Sequence, residues 1–235
     1  MPFYFGDWTY YVFVIPMLIF ALIASARVNS TFNKYSKVAS RRGLTGADAA
    51  RAVLMSNGVT DVRIKHVSGK LTDHYDPKNK VIRLSDAVYS SNSVASLCVA
   101  AHEAGHAVQY AEDYAPARFR NAIIPVTNIG SKLAIPLIIL GIALTCFGEQ
   151  FIWVAYAGIG CFGFSVLFQL FTLSSEFDAS SRALRALGNT GALSNDELPG
   201  AKKVLSAAAM TYVAALATAI AQLLRLIVIV NRNRD

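Results

Sequence analysis

The sequence predicts a mainly α-helical membrane protein that carries a small α+β polar region. Two composition figures and one pattern carry that expectation. Of 235 residues, 54% are hydrophobic and only 16% charged, against roughly 25% charged in soluble domains. Mean hydropathy is +0.41. The apolar residues also gather into about four long runs, and one polar stretch separates the first run from the rest.

The first run spans residues 10–26. Trp8, Tyr10 and Tyr11 open it, where amphipathic rings favour a membrane interface. Pro16 is a candidate kink. Ala24-Ser25-Ala26 resembles a signal-peptidase site, but the leading residues MPFYFGDW contain no Lys or Arg. A signal peptide normally starts with one, so the run is read as an uncleaved anchor. Two more runs, residues 133–147 and 151–173, are separated only by Gly148-Glu149-Gln150, which makes them a helical hairpin. The first of these is short for a bilayer that needs about 20 residues, and it extends naturally upstream past Lys132, whose stem snorkels. The last run, residues 204–230, is alanine-rich, and small residues let helices approach closely in lipid.

Within the polar stretch, Thr45 with Asp48 and an alanine-rich run read as a capped helix ending near Gly58. Residues 62–67 read as a strand. Residues 71–76 and 80–85 read as a hairpin around Asp76-Pro77-Lys78-Asn79. A helix follows over residues 93–111. The segments are therefore an anchor (1–26), a polar region with a histidine-bearing helix (27–122), a membrane hairpin (123–173), a returning segment (174–203) and a last apolar helix with its tail (204–235), expected to work as one unit.

Charge supplies an orientation. The net charge is +7, and 14 Lys or Arg lie between Arg27 and Arg120. By the positive-inside rule that region is cytoplasmic and the N-terminus external. A nucleic-acid partner is not expected, because the basic residues concentrate between apolar runs. Arg182, Arg185, Lys202 and Lys203 agree with this orientation. Arg232 and Arg234 conflict with it after four crossings, and Arg225 falls inside the last run. The cysteines Cys98, Cys146 and Cys161 form no paired spacing.

Residues 101–109 read AHEAGHAVQ. On a helix, positions four apart share a face, so His102 and His106 present two imidazoles to one zinc ion. Glu103 is rotated by about 100°, beside the metal rather than on it. Zinc lowers the pKa of its water toward about 7, and Glu103 is placed to act as general base. The pattern is the signature of metallopeptidase helices. Ala100, Ala101, Ala104, Gly105 and Ala107 leave the histidines uncrowded. A glycine inside a helix costs about 1 kcal/mol, which points to a close neighbour at Gly105.

A catalytic zinc normally has three protein ligands and an open position. No histidine follows His106, so the third ligand is expected to be a carboxylate. Glu176 is the first choice, because a hairpin between it and His106 returns it to the same side. Asp178 is the runner-up ligand, or else a support for another ligand.

These residues resemble the YugP-like neutral zinc metallopeptidases, small bacterial membrane proteins. The resemblance covers the anchor, AHEAGHAVQ, the hairpin and EFDAS. More distantly the chain is similar to the HtpX and CAAX-prenyl-protease group, whose ligand Glu lies in an E-F-x-A-D motif after a hairpin. Glu176, Phe177 and Ala179 match that motif, and Ser180 stands where the Asp would be. That Asp would support a histidine ligand, so Ser180 or Asp178 is the candidate replacement. HEAGHAV also resembles the FtsH-type proteases, but no Walker A loop occurs and no ATP is expected.

The expected activity is zinc-dependent hydrolysis of peptide bonds in a membrane-associated polypeptide, at the cytoplasmic face of a multi-pass protein of the cell membrane, with one Zn2+ per chain. His74, Tyr75, Tyr110 and Arg182 are candidate oxyanion donors. The strand over residues 80–85 is a candidate for pairing with extended substrate. The competing class is a non-catalytic membrane scaffold with a structural zinc, which leaves Glu103 unexplained.

Overall fold

A computed structural model describes residues 7–69 and 72–233. Leu71, the expected start of a strand, and Arg234 lie outside the described residues. The described residues form seven helices and one three-stranded mixed sheet. Four helical stretches are long and apolar enough to cross a membrane: Tyr10–Tyr35, Ala115–Phe147, Glu149–Asn189 and Leu198–Arg232. The chain divides into two compact units. One comprises Ala24–Arg118 and Ser174–Thr211, the other Met1–Ile23, Phe119–Leu173 and Tyr212–Asp235.

The first unit holds the polar region. Helix α1 (Ile15–Tyr35) ends in it. Helix α2 (Gly46–Ser56) starts at a reciprocal cap, with Thr45 Oγ1 accepting from Asp48 N and the Asp48 carboxylate accepting from Thr45 N. Two otherwise unpaired donors are satisfied there. Gly58, at φ +69°, closes the helix where the sequence places its end. Strand β1 (Arg63–Val67) pairs parallel with β3 (Val81–Ser85), and β2 (His74–Asp76) pairs antiparallel with β3, in the order β1-β3-β2. Asp76 Oδ1 accepts from the backbone of Lys78 and Asn79, which folds the expected hairpin turn.

The short helix α3 (Asp86–Tyr89) leads to α4 (Val94–Ala111), capped by Ser93 Oγ on Ser96 N. The core packs Ala49, Ala50 and Val53 of α2, Ile82 and Leu84 of β3, and Leu97, Ala101 and Val108 of α4. One expectation changes here. β3 lies in the middle of the sheet, with both edges already paired, so it has no free edge for a substrate strand. The edge strands are β1 and β2.

The second unit holds most of the apolar helix length. A π-helical turn, Tyr10–Val14, directly precedes α1. Pro16 has no N–H and its ring crowds the carbonyl four residues back, and a widened turn at that point relieves both problems. Helix α5 (Ala115–Leu144) begins well upstream of the apolar run, giving the first hairpin arm the length it lacked. Gly148, at φ +152°, joins two 3-10 turns, Thr145–Phe147 and Glu149–Phe151, and α6 (Ile152–Asn189) follows. The arms touch at glycines: a Cβ on Gly141 would meet Ala155 N at 2.2 Å, and one on Gly158 would meet Ala134 O at 2.7 Å. Helix α6 does not stop after Leu173 but runs on to Asn189.

Helix α7 (Leu198–Arg232) carries Arg225. This residue is buried, with Nε donating to Thr9 Oγ1 at 3.3 Å and its guanidinium 5.7 Å from the Tyr10 ring centre. Thr9 donates to Asp7 at 2.7 Å, and Arg232 pairs with the same Asp7 at 3.4 Å. Arg232 is thus paired directly with the Asp7 carboxylate and Arg225 is linked to it through Thr9, as ionised groups inside an apolar helix require.

Candidate metal centre

Helices α4 and α6 build the centre. Positions 102, 106 and 109 form one stripe of α4, and 176 and 180 lie one turn apart on α6, with 175 beside 176. The helices approach at Gly105, where a Cβ would meet Ala179 O at 2.7 Å. This is the close neighbour that the glycine implied. It brings Glu176 Oε2 to 3.1 Å from His102 Nε2 and 3.5 Å from His106 Nε2. One donor atom from each of the three residues lies within 4.8 Å of the others.

These distances fit a zinc ion. Bonds of about 2.0–2.1 Å in tetrahedral array put donor atoms about 3.3 Å apart. The Glu176 side chain is only 4% exposed, and a carboxylate that deeply buried needs a cation or strong donors. Burial alone would lower the His106 pKa, but the Glu176 carboxylate, with Glu103 and Gln109, outweighs it and the net shift is upward. The pocket therefore favours positive charge at its centre. Three protein donors also leave a coordination position open.

The outer ring nitrogens have partners too. In the tautomers that free both Nε2 atoms for metal, His102 Nδ1–H donates to Ser180 Oγ at 3.1 Å and His106 Nδ1–H donates to Gln109 Oε1 at 3.0 Å. Gln109 is fully buried. Its Oε1 also accepts from Ser175 Oγ at 3.0 Å, and its Nε2 donates to Ser175 O at 2.7 Å and Asp178 Oδ2 at 2.8 Å. Every donor and acceptor of the amide is used.

The other expected site residues take definite places. Asp178 lies outside the three-donor group; its carboxylate meets Gln109 and Arg182 Nε at 2.5 Å. Arg182 continues to Glu112 at 2.6 Å and rests on the Tyr114 ring. Glu103 Oε2 accepts from the backbone N–H of Tyr75 at 2.9 Å, which ties the carboxylate to edge strand β2. The Tyr75 and Tyr110 rings meet edge-on at 5.5 Å, and burial pushes the Tyr75 phenol upward. His74 points to the opposite face of the sheet, as strand alternation requires, with Nδ1 at Thr72 O and Nε2 at Arg83. It sits with the Arg83–Asp76 ion pair rather than with the histidine cluster.

Sequence reasoning missed Gln109 and the Tyr75 amide. Gln109 had a signal, being a lone large polar residue one stripe position beyond His106 in a helix of small apolar residues. A backbone N–H donor has no such signal.

The family described as "Putative neutral zinc metallopeptidase" matches residues 10–231. The chain belongs to this zinc metallopeptidase family. It is also 45% identical over 214 residues to "Putative membrane protease YugP" of Bacillus subtilis (strain 168), covering 90% of this chain and 92% of that protein. No solved structure matches significantly. As a zinc metallopeptidase the chain carries the expected HExxH helix with a His102–His106–Glu176 group.

Proposed function

We propose that this peptidase is a membrane-embedded endopeptidase with a zincin-like polar region, cutting membrane-associated polypeptides at the cytoplasmic face. His102, His106 and Glu176 hold one zinc ion, and Glu103 is the general base. The observation that carries the reading is the convergence of three donor atoms within 4.8 Å, with the Glu103 carboxylate anchored nearby by the Tyr75 amide. The five segments from anchor to last helix act as one functional unit.

When bound, zinc supplies Lewis acidity that polarises the scissile carbonyl and makes water a stronger acid. Glu103 accepts the proton of the attacking water and delivers it to the leaving nitrogen. The Tyr75 N–H bond fixes which way that carboxylate faces. That N–H therefore points away from β3 and toward the Glu103 carboxylate. The Tyr75 phenol, kept protonated by burial, and Tyr110 beside it are the candidate donors to the developing oxyanion. Arg182 is committed to Asp178 and Glu112 and serves to brace Gln109.

The test pairs two variants, Glu103→Gln and His106→Ala, with zinc content and cleavage of a casein or membrane-protein substrate as readouts. Glu103→Gln keeps zinc and loses at least about 100-fold in rate, the lower end of general-base contributions. His106→Ala loses both. Full cleavage by Glu103→Gln sinks the mechanism.

A further inference from the structure

A second cavity lies away from the metal cluster, in the same unit, with a volume of about 630 Å3. It opens between the end of α1 and the start of α7. Arg27 and Lys34 line one side, Lys202 and Lys203 the other. All four are exposed, and none forms an ion pair among the described residues. Among the described residues, no carboxylate lines the cavity. Four like charges gathered without a carboxylate among the described lining residues raise the local potential and attract an anion. The hydroxyls of Ser30 and Ser206 add hydrogen-bond donors, while Phe177, Pro199 and Met210 give the wall an apolar part.

The cavity's position along the chain identifies what fits it. Arg27 directly follows the apolar run ending at Ala26. Lys203 directly precedes the run starting at Val204. Phe177 comes four residues after the run ending at Leu173. Three apolar stretches thus end at this cavity, which is the level of lipid headgroups for helices that cross a bilayer. A phosphate bound by the cations would have its glycerol and acyl carbons against Phe177 and Met210. A free phosphate has no use for that wall.

We propose that this cavity is a binding site for the headgroup of an anionic phospholipid. A smaller cavity of about 280 Å3 shares Phe177, Lys202 and Ser206 with it and reaches Ser180. Ser180 is the residue whose hydroxyl meets His102. The lipid therefore sits one α6 turn from the outer support of the metal centre. The site is separate from the proposed catalysis, since lipid binding is read without any cleavage.

The test is a titration of the full chain, purified in neutral detergent, with phosphatidylglycerol, followed by native mass spectrometry. Each basic residue near a lipid surface contributes about five-fold in affinity. Lys202→Gln with Lys203→Gln therefore weakens phosphatidylglycerol binding about twenty-five-fold, and Arg27→Gln with Lys34→Gln does the same. The control Arg63→Gln with Lys65→Gln removes the same charge from β1 and leaves the affinity unchanged. Phosphatidylcholine binds more weakly than phosphatidylglycerol to the wild type, and inorganic phosphate at equal concentration does not displace the lipid. Three results overturn the proposal. One is equal weakening by the control pair, which reduces the effect to net charge. Another is displacement by inorganic phosphate, which makes it a free-anion site. The third is tighter binding of a hexaglutamate peptide than of the lipid, which makes it a docking surface for acidic polypeptides.

Discussion

The two histidines of α4 stand one turn apart, yet the regions behind them are built differently. Behind His102 there is one half-buried hydroxyl, Ser180, making a single bond. Behind His106 there is a buried amide whose four hydrogen-bonding positions are all filled by His106, Ser175 and Asp178. A hydroxyl rotates freely about its C–O bond, whereas an amide satisfied on every side has one orientation. The His106 side therefore sets the register of α4 against α6. The His102 side follows that register and contributes less of its own. Asp178, Arg182 and Glu112 extend the rigid side outward as a chain of charge-assisted bonds.

Glu176 is the residue both sides share, so its loss breaks the comparison altogether. Glu176→Gln lowers zinc affinity by more than the 10–100-fold typical of outer supports, and cleavage falls with it. Zinc content after dialysis and the rate on a quenched peptide measure the two effects. Retention of zinc by Glu176→Gln together with its loss in Asp178→Asn would move the third ligand to Asp178.

Next in size is Gln109→Ala. It removes the support of His106 and strands the Asp178 and Ser175 groups that the amide satisfied. Zinc affinity falls about 100-fold, the upper end for an outer support. Stability falls by about 1–3 kcal/mol, the cost of leaving a buried polar group unmet. Competition with a zinc chelator reports the first effect, and thermal unfolding with and without zinc separates the second. Equal chelator resistance in wild type and Gln109→Ala would mean that the two sides are not unequal after all.

The inequality bears on what a sequence reveals. HEAGH placed two histidines on one face with the proposed base Glu103 beside them, because helical spacing alone decides which side chains share a face. The carboxylate Glu176 followed from counting crossings, since a hairpin returns the chain to its starting side. The capped helices at Thr45 and Ser93, the hairpin turn at Asp76 and the glycine contact at Gly105 were legible for the same reason: each depends on residues a few positions apart or on one steric rule. The strand order was not legible. β1 pairs with β3 rather than with its neighbour β2, and that depends on which apolar face α2 and α4 cover. The continuation of α6 beyond Leu173 was also hidden, because polarity changed there while helical geometry did not. The support of His106 joins residues 66 and 69 positions apart, and no local pattern encodes which carboxylate an amide 66 or more residues away will meet.

The smallest effect is expected at Ser180, and it tests the comparison in both directions. Ser180→Ala removes one hydroxyl from His102 and leaves the Gln109 network whole, so zinc affinity falls about tenfold, the lower end for an outer support. Ser180→Asp substitutes the carboxylate found at this position in the E-F-x-A-D motif. A carboxylate accepting from Nδ1–H makes the imidazole a more basic ligand, so zinc is held more tightly than in the wild type, by up to about tenfold. Both variants are compared in the same chelator competition, with Gln109→Ala as the reference. If Ser180→Ala loses as much zinc as Gln109→Ala, the hydroxyl carries as much orientation as the locked amide, and rigidity behind the ring is not what sets its worth. If Ser180→Asp rescues Gln109→Ala, the two supports act on one shared ion and a gain at His102 offsets a loss at His106.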